Sequence, residues 1–141
     1  MSHSGHSIIT TPRFRTAIHA LAGLAINQCV QSSSSLAGHV NTHAAFLRRV
    51  LLPFVHAGIV EAREGRDGGY ILKKSPEDLT LADIFMVVHH ETSSPCDAPD
   101  CGARGAKLDK ILDEVTDSAE RQMIAALGQH TLADVLQRLR E

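Results

Sequence analysis

Phe14, Ala17, Ile18, Leu21, Ala22 and Ala25 recur at three- and four-residue spacing near the start of the chain. That spacing predicts an amphipathic helix running to about Gln28. Thr11 supplies an N-cap and Pro12 the first helical position, where the missing N–H is harmless. The polar run Ser32-Ser33-Ser34-Ser35 breaks the pattern, and its last members can cap the next helix. Leu36 to Val40 then fits a helix of about two turns. Asn41-Thr42 reads as a turn and a new N-cap. A second stripe follows in Ala45, Phe46, Leu47, Val50, Leu51, Phe54 and Val55, with Pro53 expected to kink or break it. Gly58 is the expected left-handed cap, with Ile59 as the apolar residue just beyond.

Two strand-like segments come next, Ile59 to Arg63 and Gly69 to Lys73, around Glu64-Gly65-Arg66-Asp67-Gly68. The glycines suit a hairpin turn. A two-stranded hairpin is marginal alone, so it must lean on the helices. One helix, a helix-turn-helix and a hairpin, in that order, spell a winged helix.

The rest of the chain reads as helical. Thr80-Leu81-Ala82-Asp83 and Thr131-Leu132-Ala133-Asp134 each place an acidic residue three positions after a capping threonine. They are two uses of one cap, not an internal repeat. Between them lies the longest predicted helix, about Ala106 to Leu127, ended by Gly128. Its stripe of Leu108, Ile111, Leu112, Val115, Ala119 and Met123 suits a helix-on-helix seam, read as a dimer interface. The alternative is packing back onto its own domain. The fold class is therefore mainly α with a small β-hairpin: a winged helix-turn-helix plus a long C-terminal dimerisation helix. Its expected parts are a disordered tail over 1–10, the DNA-binding domain over 11–90, a cysteine-containing loop over 91–105, and the dimerisation and C-terminal helices over 106–141.

Charge sharpens this picture. The chain of 141 residues has a net charge of only −2. Residues 1–74 nevertheless hold eight basic groups against three acidic ones, and the remainder holds six against thirteen. An asymmetry of +5 against −7 suits one half facing a polyanion, although scattered surface charge is the plain alternative. Hydrophobic residues are 43% of the chain, enough for a core, and no apolar run reaches the ~18 residues of a membrane span. Residues 1–10 lack a secretory leader pattern, and three cysteines do not form a disulfide framework. A cytoplasmic location with reduced thiols is the expectation.

In a recognition helix the N-terminal residues meet base edges in the major groove, while arginines contact guanine or phosphate. The candidates are Thr42, His43, Ala45, Arg48 and Arg49, with Arg63 and Arg66 on the wing. Arg48 and Arg49 diverge by about 100° on a helix, so at least one should hold backbone phosphate. Lys73 and Lys74 at the base of the wing read as ordinary surface. Cys96 and Cys101, preceded by His89 and His90, are the candidates for a sensor. They could hold zinc, form a disulfide, join an iron–sulfur site, or stay inert. Cys29 reads as a buried filler. His19 and His39 read as structural, and His3 and His6 in the tail as adventitious metal binders. No G-x-S-x-G, H-E-x-x-H or P-loop pattern occurs, and no enzyme is indicated.

The chain resembles the IscR/NsrR/CymR-type winged-helix repressors, the Rrf2 family. The resembling segments are Phe14 to Leu21, Ser35-Leu36-Ala37, Phe46-Leu47-Arg48-Arg49, Ala57-Gly58-Ile59-Val60 and Gly68-Gly69-Tyr70-Ile71-Leu72. Leu79 to Ile84 and Thr131 to Val135 look like the family's later helix starts. The resemblance implies a homodimer joined through the long helix that binds a roughly two-fold symmetric double-stranded DNA operator and regulates transcription. The chain departs from the family in two places. The family's wing commonly reads Arg-Gly-Pro-Gly-Gly-Gly-Tyr, and Glu64 stands here where the arginine is expected, with Arg66 as its substitute. Iron–sulfur members carry three cysteines in the later loop, whereas the third position falls here near Ala106 or Lys107. No cofactor is therefore expected, and an iron–sulfur cluster or zinc at Cys96 and Cys101 is the lesser alternative. A rival from another class is a metal- or cofactor-binding protein whose winged helix meets protein rather than DNA.

Overall fold

The computed structural model describes residues 10–92 and 102–141. Six helices and one hairpin follow in the order α1 (Pro12–Asn27), α2 (Ser33–Val40), α3 (Ala44–His56), β1 (Val60–Arg63), β2 (Gly69–Leu72), α4 (Leu81–Thr92), α5 (Gly102–Leu127) and α6 (Leu132–Arg140). The fold is a winged helix-turn-helix with a long helix near its C-terminal end, as the pattern predicts.

Thr11 caps α1 by accepting a hydrogen bond from the Phe14 N–H at 3.2 Å, with Pro12 in the first turn. The apolar stripe of α1 is buried: Ala17, Ala20 and Leu21 have no exposed surface. α1 is the centre of the domain, touching α2, α3, α4, α6 and β2. Leu36 from α2, Leu47, Leu51 and Phe54 from α3, Ile84 from α4 and Leu132 from α6 are all fully buried in the same core. Burying each such side chain contributes roughly 1.5–3 kcal/mol.

Several local expectations are corrected. α2 starts at Ser33, because Ser32 is the N-cap and accepts from the Ser35 N–H at 3.1 Å; three of the four serines sit inside the helix. Thr42 is not the N-cap of α3. Asn41 takes the left-handed conformation (φ 59°) that closes α2, and the capping position passes to His43, whose side chain makes no cap bond. Pro53 neither breaks nor ends α3, which continues to His56. The only helical bond it forfeits is the one to the Arg49 carbonyl, on the exposed side of the helix. Gly58 has the expected positive φ of 77°, and Ile59 returns to donate to the Phe54 carbonyl at 3.0 Å. α5 begins at Gly102, one turn ahead of the expected Ala106. Cys29 is exposed rather than buried, since α1 has already ended at Gln28, itself left-handed.

The wing pairs Val60 with Leu72 and Arg63 with Gly69 in an antiparallel register. The α1–α2 connection adds one isolated bridge along β2. Gln31 and Tyr70 exchange both backbone hydrogen bonds, at 2.9 and 2.8 Å. Gly69 (φ 155°) is what allows this approach, because a Cβ there would overlap the Gln31 carbonyl. The hairpin thus leans on the helices through backbone pairing as well as through Val60 in the core.

At the other end, the two Thr-Leu-Ala-Asp segments meet. Each is a full capping box, with Thr80 and Asp83 exchanging bonds at 3.0 and 3.1 Å and Thr131 and Asp134 at 3.1 and 3.0 Å. Thr80 and Thr131 also form an antiparallel bridge, through Leu81 N–H to the His130 carbonyl at 2.9 Å and Leu132 N–H to the Leu79 carbonyl at 2.7 Å. No helix among the described residues is long and apolar enough to cross a membrane.

Candidate nucleic-acid interface

α3 divides cleanly by direction. At about 100° per residue, Leu47, Val50, Leu51 and Phe54 fall within one arc of roughly 100°, and all four are buried. Phe46 and Arg48 stand about 200° apart, so they mark the two flanks of the helix. The remaining outward arc carries Ala45, Arg49 and Leu52, all exposed. A helix built this way offers one free face with a flank on each side.

The Arg48 flank opens into a recess of about 540 Å3 between α2, α3 and the wing. Ser32, Ser33, Arg48, Arg63, Arg66 and Tyr70 line it. Three predicted arginines therefore converge on one space. Arg48 is held there by donating from Nη2 to Ser33 Oγ at 3.2 Å. Arg63 has Glu61 at 3.9 Å, an exposed and solvent-screened pair that leaves most of its charge available. The recess also faces the first turn of α2, whose backbone N–H groups favour anions. Glu64 lines the same space, so the residue at the expected arginine position sits among the cations rather than away from them.

The Phe46 flank opens into a second recess, of about 380 Å3, between the first turns of α1 and the α2–α3 turn. Arg15, His19, Asn41 and Thr42 line it. Of these, Thr42 is a DNA candidate by sequence, while His19, expected to be structural, is exposed. Thr42 is thus separated from Arg48, Arg63 and Arg66 by the width of the helix. His43 and Ala45 are exposed at its N-terminal end. Lys73 and Lys74 lie at the far end of β2, where Lys74 has Asp83 at 3.9 Å.

The predicted seam residues Leu108, Ile111, Leu112 and Val115 lie on α5 at 57%, 49%, 51% and 61% exposure. Ala119 is exposed and Met123 half-buried. α5 touches α4, where His89 lies 3.7 Å from Glu120 and stacks on Phe85 at 5.4 Å between rings. Cys96, Cys101 and the tail over 1–9 fall outside the described residues. Among the described residues, no group of three or more His, Cys, Asp or Glu could hold a metal ion.

A family model, Rrf2, described as an iron-dependent transcriptional regulator, matches residues 10–138. YwnA of Bacillus subtilis, named as an HTH-type transcriptional regulator, is 31% identical over 135 residues, covering 90% of this chain and 96% of its own. Two solved structures share the fold. IscR of T. potens superposes with a TM-score of 0.69 at 21% identity, over 92% of this chain and 87% of its own. CymR, described as the global cysteine regulator of B. subtilis, does so with 0.63 at 22% identity, over 92% and 96%.

Proposed function

The chain belongs to the Rrf2 family of winged-helix transcriptional regulators, and we propose that it acts as a homodimeric repressor that binds a two-fold symmetric operator in the cytoplasm. The observation carrying the DNA reading is the convergence of Arg48, Arg63 and Arg66 on one recess beside the outward face of α3. With α3 in the major groove, Ala45 and Arg49 meet base edges, with His43 at the helix start. Arg48 and the wing arginines take backbone phosphates. The four exposed apolar residues of α5 pack against the same face of a second copy.

Selection of bound fragments from a pool of random duplexes tests this reading. It should enrich a two-fold symmetric sequence with half-sites about one helical turn apart. No enrichment, or affinity that does not change with salt, would overturn it.

The family description names iron. The donor set does not match a three-thiolate cluster, because Ala106 and Lys107 occupy the expected third position inside α5 and supply no iron-binding atom. The signal we propose instead is oxidation of Cys96 and Cys101 to a disulfide. Two thiols lose two electrons and two protons, which reduce hydrogen peroxide to two waters. In the chain Cys96 and Cys101 fall between α4 and α5, which meet at His89 and Glu120, and a shift of α5 would change the spacing of the two recognition helices. Operator affinity should fall after peroxide treatment and return with a thiol reductant. A Cys96→Ser, Cys101→Ser protein that still responds would exclude this signal.

A further inference from the structure

We propose that the recess between α1 and the α2–α3 turn seats a backbone phosphate of the second DNA strand, with Arg15 as its cationic residue. The inference rests on the DNA reading above and extends it to a part of the molecule that carries none of the residues so far assigned to phosphate. Two phosphate backbones wall the major groove, which is about 12 Å wide. A helix lying in it therefore has one wall at each flank. The Arg48 flank has its basic recess already. The Phe46 flank carries the other, and the outward arc of Ala45 and Arg49 lies between them.

The lining of this second recess has the chemistry a phosphodiester requires. Arg15 supplies a fixed charge and a planar fork of donors. His19, Asn41 and Thr42 add a ring N–H, an amide and a hydroxyl, and no acidic residue lines the space. Arg15 is exposed and makes no ion pair among the described residues, so its charge is not already neutralised. Its place is fixed by the cap at Thr11 and by the buried face of α1. Asn41 is fixed by its left-handed backbone, with its N–H bonded back to α2. The capped helix and the closed turn thus fix the backbone positions from which these side chains reach into the recess, which lowers part of the ordering cost of binding.

The test uses the full-length protein and a labelled random-sequence duplex, so that operator identity does not enter. Fluorescence anisotropy across about 50 to 200 mM salt gives the slope of log affinity against log salt, with about 0.9 lost per phosphate contact removed. Arg15→Ala should flatten the slope by about 0.9, and Arg15→Lys should restore most of it. Because the recesses serve opposite walls of one groove, Arg15→Ala combined with Arg48→Ala should flatten it by about 1.8. An unchanged slope for Arg15→Ala beside a flattened one for Arg48→Ala overturns this inference and leaves the DNA reading standing. Wild-type protein without salt-dependent binding overturns both.

Discussion

Arg48 on α3 reaches back to α2 and donates to the Ser33 hydroxyl at 3.2 Å. The bond turns one of two adjacent arginines toward the wing and leaves Arg49 on the outward face. Their roles therefore separate. Arg48→Ala should weaken binding to operator and to unrelated duplex by the same factor and flatten the salt slope by about 0.9. Arg49→Ala should cost about 1–3 kcal/mol on the operator and relax its preference at one base position, with a smaller effect on unrelated duplex. Anisotropy titrations with both DNAs decide between these roles, and reversal of the two phenotypes would move the base contact to Arg48.

The contact between Gly69 and Gln31 gives a prediction on stability. A side chain at Gly69 would overlap the Gln31 carbonyl and disrupt the two hydrogen bonds joining Gln31 to Tyr70. Gly69→Ala should destabilise the protein by at least about 2 kcal/mol in urea unfolding and weaken DNA binding through a displaced wing. Gly38 is the control, because it is exposed in α2 with nothing within 4 Å of its added Cβ. Gly38→Ala should stabilise by about 0.5–1 kcal/mol.

These contrasts show where sequence reading succeeds. Apolar periodicity marks α1, α3 and α5, and the cap residues Thr11, Gly58 and Thr131 each serve as expected, because a cap is settled within one turn of chain. The serine run is ambiguous in sequence because four adjacent residues suit the same cap; in the structure Ser32 is the cap and Leu36, four residues on, is fully buried. Cys29 is exposed against the expectation of burial, because burial there depends on where α1 stops. The bridge between Thr80 and Thr131 was not legible either. Both caps were visible as motifs, but their pairing follows from α1 gathering α4 and α6 onto one core. Arg15 and His19 were missed as partners of Thr42 for the same reason: their recess exists only once α1 crosses the turn.

The capping box of α6 carries a pH dependence. Asp134 is held below the ordinary carboxylate value of 3.8, first by the hydrogen bond from the Thr131 backbone N–H and then by that from the Thr131 side chain. A carboxylate with a lowered folded-state pKa contributes stability that is complete above its unfolded value and is lost as pH falls through the folded one. Asp134→Asn should therefore be less stable than wild type at neutral pH, and the difference should close below 3.8. Urea midpoints measured down the acid range check this, and a gap that persists unchanged into acid would show that shape rather than charge is responsible. Thr131→Ala, which removes the acceptor for the Asp134 N–H, should cost about 1 kcal/mol.

The apolar face of α5 supports the last prediction. Leu108, Ile111, Leu112 and Val115 follow the i, i+3, i+4, i+7 spacing of a single helix face, and each keeps about half its surface or more exposed in one chain. Exposure on that scale at four consecutive positions of one stripe is what a self-complementary seam leaves when a protomer is taken alone. In a two-fold dimer a change at Val115 enters the seam twice. Val115→Asp should then place two uncompensated carboxylates between the helices and weaken dimerisation by at least about 3 kcal/mol, on the order of 100-fold. Sedimentation velocity should show wild type at twice the monomer mass and the variant at the monomer mass, with the same helical circular dichroism. Operator affinity should fall with it, because a lone winged helix holds one half-site, whereas affinity per half-site stays as in wild type. A variant that remains dimeric would place the interface away from this face.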